Sequence, residues 1–145
     1  IIAVQLYAKA DNIRILDVPL YNYYYRPDSV SKKVSKGALK DFEDAFNMID
    51  SLIGIEYPEE CEFIGIKYVC YSASLCAFKA KNKTTEIKQI LNNFNRIYSH
   101  WIRNKYIYSL GFAKRVYLRL IYWRLFLVAR LVVFSYPLVA RVKHK

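Results

Sequence analysis

The sequence predicts a mostly α fold: the helix–strand–loop edge of an α/β domain over residues 1–31, then a helical extension over residues 32–145. Three observations carry this expectation. Apolar residues recur in steps of three and four through 39–53 and 87–101, the spacing that gathers them on one helix face. Residues 112–134, "FAKRVYLRLIYWRLFLVARLVVF", contain no Gly or Pro to interrupt a helix. "NIRILDV", by contrast, alternates side chains at Ile13, Arg14 and Ile15, which suits a strand with one buried face.

Taken in order, residues 2–9 read as the end of a helix stopped at Asp11-Asn12. The strand is expected at Ile13–Asp17, and Pro19 holds Val18 extended while limiting further pairing. "VPLYNYYYRPDSVS", residues 18–31, joins strand-favouring tyrosines to Pro-Asp-Ser turn chemistry, so the chain leaves the sheet there. "SKKVSKG" then makes a boundary. Leu39, Phe42, Phe46, Ile49 and Ile53 define an amphipathic helix that Gly54 ends. Pro58 suits the first turn of the next helix, with Glu59, Glu60 and Glu62 at its positive end and Lys79, Lys81 and Lys83 near its negative end. "TTE" opens a third, carrying Ile87, Ile90, Phe94, Ile97 and Trp101 on one side.

Charge is distributed very unevenly. The net charge is +11 over 145 residues, yet residues 1–86 hold 11 Lys/Arg and 12 Asp/Glu, while residues 87–145 hold 12 Lys/Arg and no carboxylate. That asymmetry predicts a polyanionic partner, anionic lipid or nucleic acid; the alternative is a solvated basic face, which ordinarily intersperses Asp and Glu. Cys61, Cys70 and Cys76 lack Cys-x-x-Cys spacing and have only His100 and His144 beside them, so they make no metal pattern and read as free thiols. The chain starts at Ile1, which suggests a part of something longer. It shows no secretory leader pattern and no uninterrupted apolar stretch of about 18 residues.

On a single helix through 112–134, Arg115, Arg119 and Arg130 fall within about 60° of one another, a narrow cationic stripe. Leu118, Leu120, Ile121, Leu125, Leu127, Val128, Leu131 and Val132 spread over a wide apolar face, with Arg124 able to snorkel from it. Lys114 adds a cation, and Tyr122 and Trp123 are rings suited to a membrane–water interface. Residues 112–145 are therefore expected to lie on an anionic membrane surface, apolar side down. Packing of that face on the preceding helices is the alternative. Nucleic acid is not expected, because single-strand grooves are less apolar.

"IRILDVPLYNYYYRPDSVS", with the strand Ile13–Asp17, Pro19-Leu20-Tyr21, the run Tyr23-Tyr24-Tyr25, and Arg26 ahead of Ser29, resembles the C-terminal edge of the family 2 glycosyltransferases that build bacterial surface and capsular polysaccharides. The ordered match covers about residues 1–35. The resemblance implies a GT-A domain that moves a sugar, with inversion, from a nucleotide-sugar donor to an acceptor, here a lipid-linked saccharide. It implies Mg or Mn, held by residues outside this chain, and catalytic carboxylates upstream of Ile1, so no catalytic residue is named and the piece alone is expected to be inactive. It implies a peripheral place on the cytoplasmic face of a bacterial membrane. Arg26, Ser29 and Tyr25 are then candidates for the donor diphosphate, since an arginine can hold phosphate oxygens bidentately. Alternatively Ser29 and Ser31 shape a turn and Arg26 pairs with Asp28 or Asp17. The non-enzymatic alternative is a basic helical adaptor that binds nucleic acid or a protein.

Overall fold

Nine buried residues between Cys61 and Phe78 fall into two series, each with a step of four: Cys61, Gly65, Val69, Ala73, Ala77, and Ile66, Cys70, Ser74, Phe78. On a regular α-helix each step of four overshoots a full turn by about 40°, so such series would drift around the cylinder. The helix answers with a π segment. In the computed structural model, which describes residues 2–14, 17–18, 37–80 and 84–142, one continuous helix runs from Pro58 to Lys79. It comprises α3 (Pro58–Gly65), a π-helical stretch (Ile66–Ala73) and α4 (Ser74–Lys79). A π turn closes through i→i+5 bonds and holds more than four residues, which offsets the drift and keeps both series on one face.

Around this central helix stand α1 (Ile2–Lys9), α2 (Ala38–Ile53), α5 (Thr84–Ile97), α6 (Phe112–Tyr122) and α7 (Phe126–Val142). α2, α5 and α6 pack on the π stretch, and α7 packs on α4 and α6. Two 3₁₀ turns, Trp101–Arg103 and Lys105–Ser109, bridge α5 to α6. The central helix is long and apolar enough, by length and composition alone, to cross a membrane; half of its most apolar stretch is buried inside the bundle. Its place here is that of a core helix.

α2 crosses the central helix at Gly65. A Cβ built there would come within 2.4 Å of Phe94 Cε2 and 2.6 Å of Phe46 Cε2, so only hydrogen fits between the two rings. Those rings begin an aromatic chain: Phe46 to Phe94 at 5.4 Å, Phe94 to Tyr98 at 5.1 Å, Phe94 to Trp101 at 6.4 Å, and Trp101 to Tyr122 at 5.3 Å. The chain ties α2, α5, the first 3₁₀ turn and α6 together through offset and edge contacts. At its edge the Tyr98 hydroxyl donates to Asp50 Oδ1 at 2.7 Å, and the Cys61 thiol donates to the same oxygen at 3.2 Å. Burial, then the Asp50 carboxylate, pushes the Cys61 thiol up to about 12. Cys70, wholly buried, is also held far above its ordinary value. Both are protonated, unreactive thiols.

The start of the central helix is tied down by the second 3₁₀ turn. Buried Asn104 donates through Nδ2 to the Glu59 carbonyl (2.9 Å) and Glu62 Oε2 (2.7 Å), and its Oδ1 accepts from the Tyr106 N–H at 3.0 Å. Lys105 pairs with Glu59, and the Tyr106 hydroxyl donates to Glu60 Oε1. Three glutamates placed at the positive end of a helix dipole thus acquire partners from the basic half of the chain.

The helices at 2–9, 38–53 and 58–79 lie where the sequence predicts them. The third amphipathic helix starts at Thr84 as expected but stops at Ile97, which is exposed, leaving Trp101 to be buried from a 3₁₀ turn. The expected α/β edge does not form among the described residues. Ile13 and Arg14 sit in irregular backbone and Asp17-Val18 in a bend, and among the described residues there is no strand. Three alternating residues are too few to fix a strand, because strand preference comes from cross-strand neighbours rather than from the segment itself. A GT-A domain is built on a sheet. The fold expectation is therefore corrected to an all-helical bundle among the described residues, and the glycosyltransferase resemblance and the sugar-transfer activity drawn from it are corrected with it.

Two outcomes test this packing. Gly65→Ala gains helix propensity yet forces two rings apart, so it should lower stability by about 1–3 kcal/mol in urea melts. Glu60, for its part, is held below the ordinary carboxylate range chiefly by the Tyr106 hydroxyl. A depressed folded value stabilises above the unfolded value and is lost as pH falls through the folded one. The stability gap between wild type and Tyr106→Phe should thus be full near neutrality and close below about pH 4, where carboxylates protonate.

Candidate functional site

α6 begins after Gly111, and Phe112, its first residue, is exposed. It buries Tyr117, Leu118 and Ile121. The Tyr117 hydroxyl lies 2.8 Å from Ser74 Oγ, which also donates to the Cys70 carbonyl, and Tyr117 packs edge-on against Tyr71 at 5.7 Å. Burial pushes the Tyr117 phenol well above its ordinary value, so it stays neutral.

The helix expected to run unbroken from Phe112 to Phe134 stops at Tyr122. Arg124 adopts φ 58°, the left-handed region, and its N–H bonds the Ile121 carbonyl while the Leu125 N–H reaches back to Leu120. This is a Schellman C-cap with arginine at the position that usually belongs to glycine. The Arg124 guanidinium donates to Asn92 Oδ1 on α5 at 2.5 Å. The chain turns at Trp123-Arg124-Leu125 and starts again as α7.

α7 turns Ala129 and Val133 into the bundle, with Phe126 half-buried. At 100° per residue, Leu127, Leu131 and Phe134 fall on the opposite side. They are 81%, 69% and 53% exposed, with exposed Val128 flanking them. Arg130 borders the stripe, its guanidinium 5.7 Å from the Phe134 ring centroid. Trp123 and Leu125 expose further apolar surface at the turn. On the bundle side, Lys88 lies over the Phe126 ring at 5.7 Å.

The break at Arg124 redistributes the residues assigned to a membrane interface. Arg115 and Arg119 lie on α6 and Arg130 on α7, so they do not form one stripe along one helix. Arg119, Trp123, Arg124 and Arg130 are exposed. Arg115 is half-buried, with its Nε enclosed and without a hydrogen-bond partner. Tyr122 is half-buried against Trp101 and donates to the Ser99 carbonyl, so it serves the bundle. Lys114 projects over the Tyr71 ring at 5.5 Å. Tyr25, Arg26 and Ser29 lie outside the described residues.

Sequence reasoning passed over the stripe Leu127–Leu131–Phe134 as a distinct face, because the wheel assumed no break. It also missed two clefts flanking Tyr71 and Lys114, whose residues come from three separate helices. Among the described residues no group of three or more His, Cys, Asp or Glu is placed to hold a metal ion. The Mg or Mn ion was an expectation about residues outside this chain. No family model, curated protein or solved structure matches this chain.

Comparing Arg124→Gly with Arg124→Ala tests the turn. Both lose the Asn92 contact, so they differ in backbone alone. In a left-handed cap Gly should be the more stable by about 1 kcal/mol. A continuous helix would give the reverse order.

Proposed function

We propose that the chain is a basic helical adaptor that docks peripherally on an anionic membrane surface through the outer face of α7 and the α6–α7 turn. The supporting observation is the stripe Leu127, Leu131 and Phe134, exposed on the side of α7 away from the core and bordered by Arg130. A contiguous apolar face of this kind marks an interaction surface, whereas isolated exposed leucines do not. Its neighbours select the partner. From Ile87 to Lys145 the chain carries no carboxylate, so an anionic surface meets cations and no like charge.

A bilayer interface satisfies both features at once. Each leucine-sized group transferred from water contributes about 1.5–3 kcal/mol when fully buried. Each cation near anionic headgroups adds about 1 kcal/mol. Arg119 and Arg130 are exposed and suited to that role, and the Trp123 ring suits the headgroup level. Nucleic acid would satisfy the arginines and leave the stripe in water. A peripheral place on an anionic leaflet follows from this reading.

Co-sedimentation of the full chain tests it, with vesicles of phosphatidylserine and phosphatidylcholine set against phosphatidylcholine alone. Binding should require phosphatidylserine and weaken as salt shortens the screening length below about 10 Å. Leu127→Glu/Leu131→Glu should abolish it with the helical content unchanged. Equal binding to both vesicles, or binding to single-stranded DNA or a protein with none to vesicles, overturns the proposal.

A further inference from the structure

Between the central helix, α6 and α7 lies a cleft of about 280 Å³. Leu75, Ala113, Val132 and Val133 supply its apolar lining. Among the described residues its cations are Lys79, from the end of the central helix, and Lys114 on α6, and no carboxylate lines it. Tyr117 also faces it, its hydroxyl already occupied by Ser74. On the other side of Tyr71 and Lys114, which line both, a second cleft of about 240 Å³ adds Lys67. The Lys114 ammonium, held over the Tyr71 ring, therefore stands between two apolar clefts with another lysine lining each.

We propose that the larger cleft binds a free alkyl carboxylate, a single unbranched chain with its carboxylate on Lys79 and Lys114. The volume suits a small ligand, since about 280 Å³ lies at the small end of ligand pockets, which run to about 1,000 Å³. The lining decides against a polar one, because the Tyr117 hydroxyl is engaged by Ser74 and the wall beside the Tyr71 ring is Leu75, Ala113, Val132 and Val133. The two ammonium groups decide the sign of the head, as charge-assisted hydrogen bonds to a carboxylate form here without a competing acid. The cleft lies on the inner side of α7, apart from Leu127, Leu131 and Phe134, so this site stands independently of vesicle docking.

The probe is decanoate, below its micelle-forming concentration and without vesicles, titrated into the full chain by calorimetry. Decanoate should bind with one-to-one stoichiometry; decanol should bind about tenfold more weakly and decylamine not at all. Lys79→Gln/Lys114→Gln should weaken decanoate by about tenfold and leave decanol unchanged. Ala113→Phe, at an exposed position, should fill the cleft and remove binding of both. Leu127→Glu/Leu131→Glu should bind decanoate as wild type does, which separates this site from the membrane face. Decanoate and decanol binding alike, several chains binding per molecule, or undiminished binding by Ala113→Phe would each overturn the assignment.

Discussion

The close approach of two phenylalanine rings over Gly65 constrains the bundle more than any other contact. Phe46 and Phe94 meet where a side chain would stand, and this fixes the separations of α2 and α5 from the central helix. From that point the aromatic chain through Phe94 and Trp101 reaches Tyr122 and so ties down the end of α6. The constraint extends along the helix because buried residues repeat every four positions and most are small, Gly65, Val69, Ala73 and Ala77 on one series and Cys70 and Ser74 on the other. Such a series can face one way only if the helix underwinds. The π stretch is thus a consequence of packing: its wider turns keep Val69, Cys70 and Ala73 directed at the neighbours that Gly65 brings close.

Polar groups follow the same geometry. Ser74 is wholly buried, and it is accommodated because its hydroxyl bonds the Cys70 carbonyl and meets the Tyr117 hydroxyl. Asp50 accepts from Tyr98 and Cys61, so its carboxylate has donors from two helices. Asn104 uses both ends of its amide to close the start of the central helix. In each case a buried or half-buried polar group has a partner on another element, and the net gain of each bond is small beside the cost of leaving it unmade. These bonds specify which helices are neighbours; the apolar contacts supply most of the cohesion.

Much of this was legible, for physical reasons that can be named. Helices 38–53 and 84–97 carry large apolar residues at 3.6-residue periodicity, a signal that places both helices although it carries past the end of the second, where Ile97 is exposed and Trp101 lies in a 3₁₀ turn. The expected strand rested on Ile13-Arg14-Ile15, where alternation is brief and no partner is specified; Ile13 and Arg14 are irregular, and Ile15 and Leu16 lie outside the described residues. The Pro-Leu-Tyr and tyrosine run that carried the family resemblance lie largely outside the described residues, so that resemblance drew its structural content from the weakest local signal. The break at 123–125 left no mark because arginine, not glycine, occupies the left-handed position. Its cost is local, and the contact with Asn92 belongs to a residue distant in sequence. The clefts beside Tyr71 were equally invisible, since no periodicity reports which residues of three helices will adjoin.

α7 inverts the usual arrangement of a surface helix. Its inner face buries Ala129 and Val133 and half-buries Phe126, whose ring meets Phe78 at 6.2 Å, while Leu127, Leu131 and Phe134 point outward. Packing alone would favour the opposite placement, because burying a leucine gains more than burying an alanine. The inner face is held by Phe126 against Phe78 and by Ala129 and Val133 in the core, which leaves the outer face free to serve another surface. The turn at Arg124 is what makes this division possible. A continuous helix would carry the α6 register straight into residues 126–134, whereas the Schellman turn resets the rotation. The left-handed arginine and the outward leucines are in this sense one feature: the backbone cost at residue 124 sets the face that α7 presents to its surroundings.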